Sequence, residues 1–134
     1  MSGARILVVE DNETNMRLFR DVLEARGYLV LEAALGVSAI AIADDELPDL
    51  VLMDIQLPDL DGVEALGRLR ADERTAAIPV IALTAQAMRG DRERFLALGF
   101  DDYLSKPVDI VDLAETVERH RRGRRESGRD DPGA

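Results

Sequence analysis

Five short apolar runs, separated by helical patterns, constrain the fold of this 134-residue chain more than any other feature of its sequence. Within the runs, apolar residues mostly follow one another instead of alternating with polar ones, as in strands buried on both faces. Turn-forming residues bound each run. The predicted strands cover residues 6–9, 29–31, 50–53, 80–83 and, in the shortest run, 103–104.

A helical repeat of apolar residues follows each run. Gly27 and Gly99 are placed to end the first and fourth helices, and Asp61 and Asp109 are placed to cap the third and fifth. The fourth helix is short and is predicted at about 91–98. The predicted apolar faces of the other four are Met16, Phe19 and Leu23; Val37, Ile40 and Ala41; Val63, Leu66 and Leu69; and Ile110, Leu113, Ala114 and Val117.

Strand and helix thus alternate five times, which favours a single α/β domain. Right-handed crossovers place such a chain in a parallel sheet with helices on both faces. By analogy with other doubly wound sheets of five strands, we expect the flavodoxin-like order 2-1-3-4-5 in a three-layer sandwich.

The domain is predicted to cover residues 1–122. Beyond Arg119 the apolar repeat gives way to arginines and then to serine, glycine, aspartate and proline, so we predict a disordered, arginine-rich tail at 123–134. Two alternatives stay open for its arginines. They could extend the last helix, whose C-terminal dipole favours cations, or contact RNA or an acidic partner.

Composition narrows the class of function. The formal net charge of −10 argues against a broad nucleic-acid-binding face, so no direct contact with nucleic acid is expected. The first apolar run is too short for a signal-peptide core or a membrane span, so we expect a cytoplasmic chain without membrane insertion. The absence of cysteine excludes thiol catalysis.

Acidic residues collect where two predicted strands end. Glu10 and Asp11 follow the first strand, and Asp54 follows the third. In doubly wound sheets, ligands bind outside the carboxyl ends of the strands where the strand order reverses, here between strands one and three. Converging carboxylates raise each other's pKa values unless a cation offsets their charge, and oxygen ligands favour Mg2+. The sequence therefore predicts a Mg2+ site formed by these three acids.

Two further residues complete the predicted site. Lys106, the only lysine beside sixteen arginines, follows the fifth strand and offers a compact ammonium to a phosphate oxygen. Thr84 ends the fourth strand with a hydroxyl group. A carboxylate nucleophile, a metal pocket, a lysine and a hydroxyl are the groups that phosphoryl transfer onto Asp54 requires.

Four ordered motifs carry a family resemblance. From about residue 4 to residue 120 the chain resembles the receiver domains of response regulators, and the stretch 11–19 is similar to stand-alone receivers that regulate cell division. The motifs are VEDN at 9–12, LMDIQLPDLDG at 52–62, LTA at 83–85 and YLSKP at 103–107.

This resemblance implies a role for each acid of the site. Asp54 would be the phosphoacceptor. Asp11 would bind Mg2+ directly and Glu10 mostly through water, with Asp54 and the backbone carbonyl of Gln56 as further ligands.

The resemblance also implies a switch and a set of partners. Thr84 and Lys106 would contact the phosphoryl group, and Tyr103 would turn inward when Thr84 moves. A histidine kinase or histidine phosphotransfer protein would donate the phosphoryl group. The chain would signal by protein contact through helix 4, strand 5 and helix 5, and would be no enzyme beyond its own phosphorylation and dephosphorylation.

Three other interpretations fit these residues less well. An aspartyl phosphatase of the haloacid-dehalogenase type expects a second aspartate two positions after the first, where Gln56 stands. A nucleotide- or flavin-binding module expects a glycine-rich loop after the first strand, where Glu10 and Asp11 place negative charge. A degenerate receiver would lack Asp54, Lys106 or the acid pair.

Overall fold

One parallel sheet with the strand order β2-β1-β3-β4-β5 organises the chain, as predicted. The computed structural model describes residues 3–85 and 89–130, with the backbone alone over 122–130. Each strand contains its predicted run and is one or two residues longer. The strands are β1 (Arg5–Val9), β2 (Leu29–Ala33), β3 (Leu50–Asp54), β4 (Val80–Thr84) and β5 (Asp102–Ser105).

Five helices cover both faces of this sheet, which explains the continuous apolar runs of β1, β3 and β4. The prediction of burial on both faces is wrong for the edge strand β2, where Leu29 is exposed and Val30 and Leu31 are half-buried. Successive side chains of a strand point to opposite faces. On β1, Leu7 and Val9 join one buried core with residues of α2, α3 and α4, while Ile6 and Val8 join a second core with residues of α1 and α5. The helices are α1 (Glu13–Ala25), α2 (Gly36–Glu46), α3 (Gly62–Ala71), α4 (Asp91–Leu98) and α5 (Ile110–Asp130).

The predicted helix ends are confirmed. Asp61 accepts a hydrogen bond from the Val63 amide at 2.8 Å and caps α3. Asp109 accepts from the Val111 amide at 2.8 Å ahead of α5. Gly99 follows α4 with a φ of 112°, a left-handed conformation that glycine adopts without strain.

The predicted buried face of α2 is wrong. Val37 and Ala41 are exposed and Ile40 is half-buried. The helix is apolar around most of its circumference, so its sequence period does not select one face. It packs through its smallest residues, which allow the closest approach to the sheet. The residues it buries are Gly36, Ala39 and Ala43.

The predicted face of α5 is confirmed at Leu113, Ala114 and Val117, but Ile110 is half exposed. The helix continues to Asp130, so the domain boundary predicted after residue 122 falls within it. Residues 131–134 lie outside the described part of the chain, and a disordered tail at 123–134 stays a prediction. Over the described ranges, no helix is both long and apolar enough to span a membrane.

Candidate functional site

The carboxyl ends of β1 and β3 bring the three predicted acids together. The two strands pair in parallel with Val9 opposite Met53, so Glu10 and Asp11 emerge beside Asp54. One carboxylate oxygen from each of these acids lies within 4.8 Å of the other two. Glu10 and Asp54 are buried, and Asp11 is exposed to solvent.

Lys106 reaches two of these acids from the end of β5. Its Nζ lies 2.8 Å from Glu10 Oε1 and 2.9 Å from Asp54 Oδ2. The Lys106 amide donates to the Thr84 carbonyl at 2.7 Å, which ties the lysine to the end of β4. Burial lowers the pKa of the ammonium, but its contacts with the two carboxylates outweigh burial and leave the pKa raised. The lysine therefore stays a cation among the acids.

Glu10 has the environment of a metal-site carboxylate. Its Oε2 accepts the Asn12 amide at 3.1 Å. Although Lys106 Nζ lies within ion-pair distance of Oε1, this buried oxygen accepts no hydrogen bond of good geometry from any described residue. Burial raises the pKa of Glu10 against the opposing effects of Lys106 and the Asn12 amide. Three carboxylates that share one ammonium leave negative charge in an all-oxygen cluster, which fits Mg2+ and its bound water.

The loop from β3 to α3 folds back onto the Asp54 backbone. The Gln56 amide donates to Asp54 Oδ1 at 2.9 Å, and the Gly62 amide donates to the Ile55 carbonyl at 2.9 Å. A Cβ atom at Gly62 would lie 2.6 Å from the Asp54 carbonyl oxygen, so no larger residue fits without a shift of the backbone. Glycine thus lets α3 begin directly against Asp54.

The two predicted switch residues lie on neighbouring strands. Thr84 is buried and lies opposite Ser105 in the β4–β5 register, and Tyr103 lies opposite Ala82. Tyr103 is half-buried, with its ring centroid 5.4 Å from that of Phe95 on α4. Its ring therefore already packs against the core rather than standing free in solvent.

Sequence reasoning missed a buried carboxylate on β5. The oxygens of Asp102 accept hydrogen bonds from Arg92 on α4 and Arg119 on α5, each at 3.0 Å, and from the Tyr103 amide at 2.8 Å. His120 Nε2 lies 3.0 Å away. Burial raises the pKa of Asp102, but these partners outweigh burial and leave it lowered. The only sequence signal was an acid at the start of an otherwise apolar strand.

Comparison with known proteins agrees with this geometry. The family model of the response regulator receiver domain matches residues 6–118. The polar-differentiation response regulator DivK of Brucella ovis is 46% identical over 115 residues, which cover 86% of this chain and 94% of that protein. The resemblance to stand-alone receivers is therefore confirmed over most of the chain.

Solved structures give the same result. The receiver domain of a sensor histidine kinase from Pseudomonas aeruginosa, solved with a magnesium ion coordinated in its active-site cleft, is 41% identical with a TM-score of 0.81. The match covers 89% of this chain and 98% of that one. A response regulator from Chloroflexus aurantiacus is 31% identical with a TM-score of 0.83, over the same shares of the two chains. This chain belongs to the response regulator receiver domain family of two-component signalling systems.

Proposed function

We propose that the chain is a single-domain response regulator that accepts a phosphoryl group on Asp54 and signals by phosphorylation-dependent protein contact. The observation that carries this proposal is the position of Lys106 Nζ, 2.9 Å from Asp54 Oδ2 and 2.8 Å from Glu10 Oε1. A buried carboxylate held against one fixed cation, beside two more acids, suits transfer of an anionic phosphoryl group.

In the proposed reaction, a phosphohistidine of a histidine kinase or phosphotransfer protein is the donor. A carboxylate oxygen of Asp54 forms the new O–P bond while the N–P bond of the donor breaks. The imidazole leaves with the bonding electron pair. Lys106 would neutralise charge on the phosphoryl oxygens, and the Thr84 hydroxyl would donate to one of them. Burial of Asp54 keeps bulk water away from the reacting carboxylate.

Asp11, Asp54 and the backbone carbonyl of Gln56 would hold Mg2+, with Glu10 acting through water. The bound ion supplies positive charge that offsets the charge of the acids and of the incoming phosphoryl group. Glu10 is suited to its outer position because its Oε2 is already engaged by the Asn12 amide. We propose that the chain catalyses only its own phosphorylation and dephosphorylation and acts on no other substrate.

The face formed by α4, β5 and α5 is the proposed surface for a downstream protein. Leu96 and Leu98 on α4 are 42% and 45% exposed, and Ile110 and Val111 at the start of α5 are 50% and 55% exposed. Apolar side chains exposed beside the Tyr103 strand suit a partner whose affinity follows the switch. A cytoplasmic location, without direct contact with nucleic acid or insertion into a membrane, is part of the same proposal.

Intact-mass spectrometry after incubation with a small acyl phosphate and Mg2+ tests the proposal. The wild-type chain should gain the mass of one phosphoryl group, and Asp54→Asn should gain none. Asp109→Asn is a matched control, because it changes another strand- or helix-end aspartate while keeping an acceptor oxygen for the cap. It should gain one phosphoryl group. An unchanged gain in Asp54→Asn would contradict the assignment.

A further inference from the structure

The loop that follows Asp54 is fastened to a second helix by a side chain outside the acid cluster. Asp59 accepts the Gly36 amide at 2.8 Å and the Val37 amide at 3.1 Å, both in the first turn of α2. The N-cap residue of α2 itself, Leu35, makes no side-chain capping bond. Asp59 thus caps α2 from a position 23 residues away in sequence.

This contact closes a ring of bonds around the acid cluster. The end of β2 is tied to the first acid pair, because the Glu10 amide donates to the Ala33 carbonyl at 3.0 Å. Two residues separate Ala33 from Gly36, where Asp59 attaches the β3–α3 loop. Leu60 packs so closely there that a Cβ atom at Gly36 would lie 2.8 Å from the Leu60 Cβ.

The ring matters because sheet pairing does not position the whole site. The β1–β3 register brings the backbones of Glu10 and Asp54 side by side. Gln56 lies beyond the end of β3, so its backbone depends on how residues 55–61 are held. Gly62 anchors the far end of that loop against Asp54, and Asp59 anchors its middle.

We infer that Asp59 is a positioning residue for the metal-binding loop, which it holds by capping α2. This inference rests on the proposed Mg2+ site. Mg2+ demands near-ideal octahedral geometry, so a loop that shifts by a fraction of an ångström binds it more weakly. The carboxylate is favoured at the helix N-terminus, and the Gly36 amide is the main reason that the pKa of Asp59 is lowered.

The test compares two aspartates with the same local chemistry. Asp109 also accepts two backbone amides at a helix start, those of Val111 at 2.8 Å and Asp112 at 3.2 Å, but it lies in the segment before α5, outside the metal-binding loop. Asp59→Ala and Asp109→Ala should therefore lower the thermal midpoint by similar amounts. Calorimetric titration with MgCl2 then separates a positioning role from a purely structural one.

Asp59→Ala should bind Mg2+ roughly 10-fold more weakly than the wild type, because it lacks an outer support of the metal site. Asp109→Ala should bind Mg2+ with wild-type affinity. Asp59→Asn, which keeps one acceptor oxygen, should fall between Asp59→Ala and the wild type. Amide hydrogen exchange at Gly36 and Val37 should quicken in Asp59→Ala.

Each outcome separates this inference from the proposed function. If the wild type does not bind Mg2+, the proposed site itself is wrong. If the wild type binds Mg2+ and Asp59→Ala binds it equally well, Asp59 does not position the loop. An equal loss of affinity in Asp109→Ala would show that general destabilisation, and not the loop anchor, weakens the metal site. Should Asp59→Ala fail to fold, wild-type affinity in Asp59→Asn would overturn the inference.

Discussion

Lys106 Nζ lies 2.9 Å from Asp54 Oδ2, so the proposed phosphoacceptor is already paired with a cation before any metal or phosphoryl group arrives. The same ammonium lies 2.8 Å from Glu10 Oε1. The positive charge beside these two carboxylates is therefore a fixed part of the protein. The lysine is held by the backbone bond from its own amide to the Thr84 carbonyl at 2.7 Å.

Replacing this lysine should make stability depend more strongly on Mg2+. In Lys106→Met, two buried carboxylates lose their counter-charge, so the free energy of unfolding at neutral pH should fall by about 1–3 kcal/mol without metal. Mg2+ should then stabilise the variant more than the wild type, because the ammonium no longer competes for the same oxygens. Urea unfolding with and without MgCl2 measures both effects.

The exposed pair of Arg68 and Glu64, 3.2 Å apart on α3, provides the control. Arg68→Met should change stability by less than about 0.5 kcal/mol, with no Mg2+ dependence.

The contribution of Lys106 to stability should depend on pH with a definite sign. Since the pKa of Lys106 is raised in the folded state, its contribution is complete below the unfolded-state pKa and is lost as the pH rises through the folded-state pKa. The alkaline loss of stability should be smaller in Lys106→Met; an unchanged alkaline profile would argue against the pairing.

Two glycines of α3 should respond to alanine in opposite directions. In Gly62→Ala, the new methyl group would lie 2.6 Å from the Asp54 carbonyl oxygen, so stability should fall by about 1–3 kcal/mol. In Gly67→Ala, nothing lies within 4 Å of the new Cβ, and alanine should stabilise the helix by about 1 kcal/mol. Chemical denaturation of both variants measures the difference. Equal effects would mean that α3 does not begin as tightly against Asp54 as described.

The metal ligands should be separable by single substitutions. Asp11 is exposed to solvent. Glu10 is buried, and its two oxygens lie against Lys106 and the Asn12 amide. Asp11→Ala should therefore weaken Mg2+ binding more than Glu10→Ala, since a direct ligand contributes more than one that acts through water. Calorimetric titration of both variants decides this. Wild-type affinity in both would place the metal elsewhere.

The sequence predicted the strands and the acid cluster because both depend on local signals. The apolar runs bounded by turn residues are buried in β1, β3 and β4, although Leu29 on the edge strand β2 is 56% exposed. Residues that follow parallel strands meet at one edge of the sheet. The prediction of the buried face of α2 was wrong because its sequence does not distinguish one face from another. Val37 is no less apolar than the residues that are buried, and the close packing of the small residues Gly36, Ala39 and Ala43 selects the face.

Long-range polar contacts could not be predicted in the same way. Asp59 bonds to α2 across 23 residues, and Asp102 gathers partners from two helices. Neither contact leaves a spacing pattern in the sequence, because each partner is one of many exposed charged or backbone groups until the fold brings it near.

The ionised carboxylate of Asp102 should contribute to the stability of the fold, and acid should remove that contribution. Its pKa is lowered in the folded state by His120, the Tyr103 amide and Arg119, against the effect of burial. Its contribution is therefore present above the unfolded-state pKa and is lost as the pH falls through the folded-state pKa. Asp102→Asn should lose about 1–3 kcal/mol near neutrality and progressively less in acid.

Urea unfolding across the acid range measures how the difference in stability between the wild type and Asp102→Asn decreases as the pH falls. Asp112→Asn, at an exposed position on α5, should parallel the wild type throughout and stay within about 0.5 kcal/mol of it. If the difference between the wild type and Asp102→Asn stays constant with pH, the ionised carboxylate is not the stabilising form.

The last prediction concerns the switch that links Asp54 to Tyr103. A phosphoryl group on Asp54 adds charge and acceptor oxygens near Thr84 and Lys106, and it shifts a population only if it binds one state better than the other. One hydrogen bond from the Thr84 hydroxyl to a charged oxygen contributes roughly 1.5–3 kcal/mol, enough for a tenfold or larger shift. Movement of Thr84 would open space beside β5, and the half-buried Tyr103 ring would move further in against Phe95.

Thr84→Ala should therefore accept phosphate at Asp54 but fail to move Tyr103. The ring signals of Tyr103 can be followed by NMR with and without a beryllofluoride phosphate mimic, since the chain has only one other tyrosine, Tyr28. Thr75→Ala is the matched control, because it removes a buried hydroxyl that bonds to the Leu69 carbonyl at 2.6 Å, in a segment apart from the acid cluster. The mimic should shift the Tyr103 signals in the wild type and in Thr75→Ala, and leave them unchanged in Thr84→Ala. If all three proteins respond equally, the coupling does not run through the Thr84 hydroxyl.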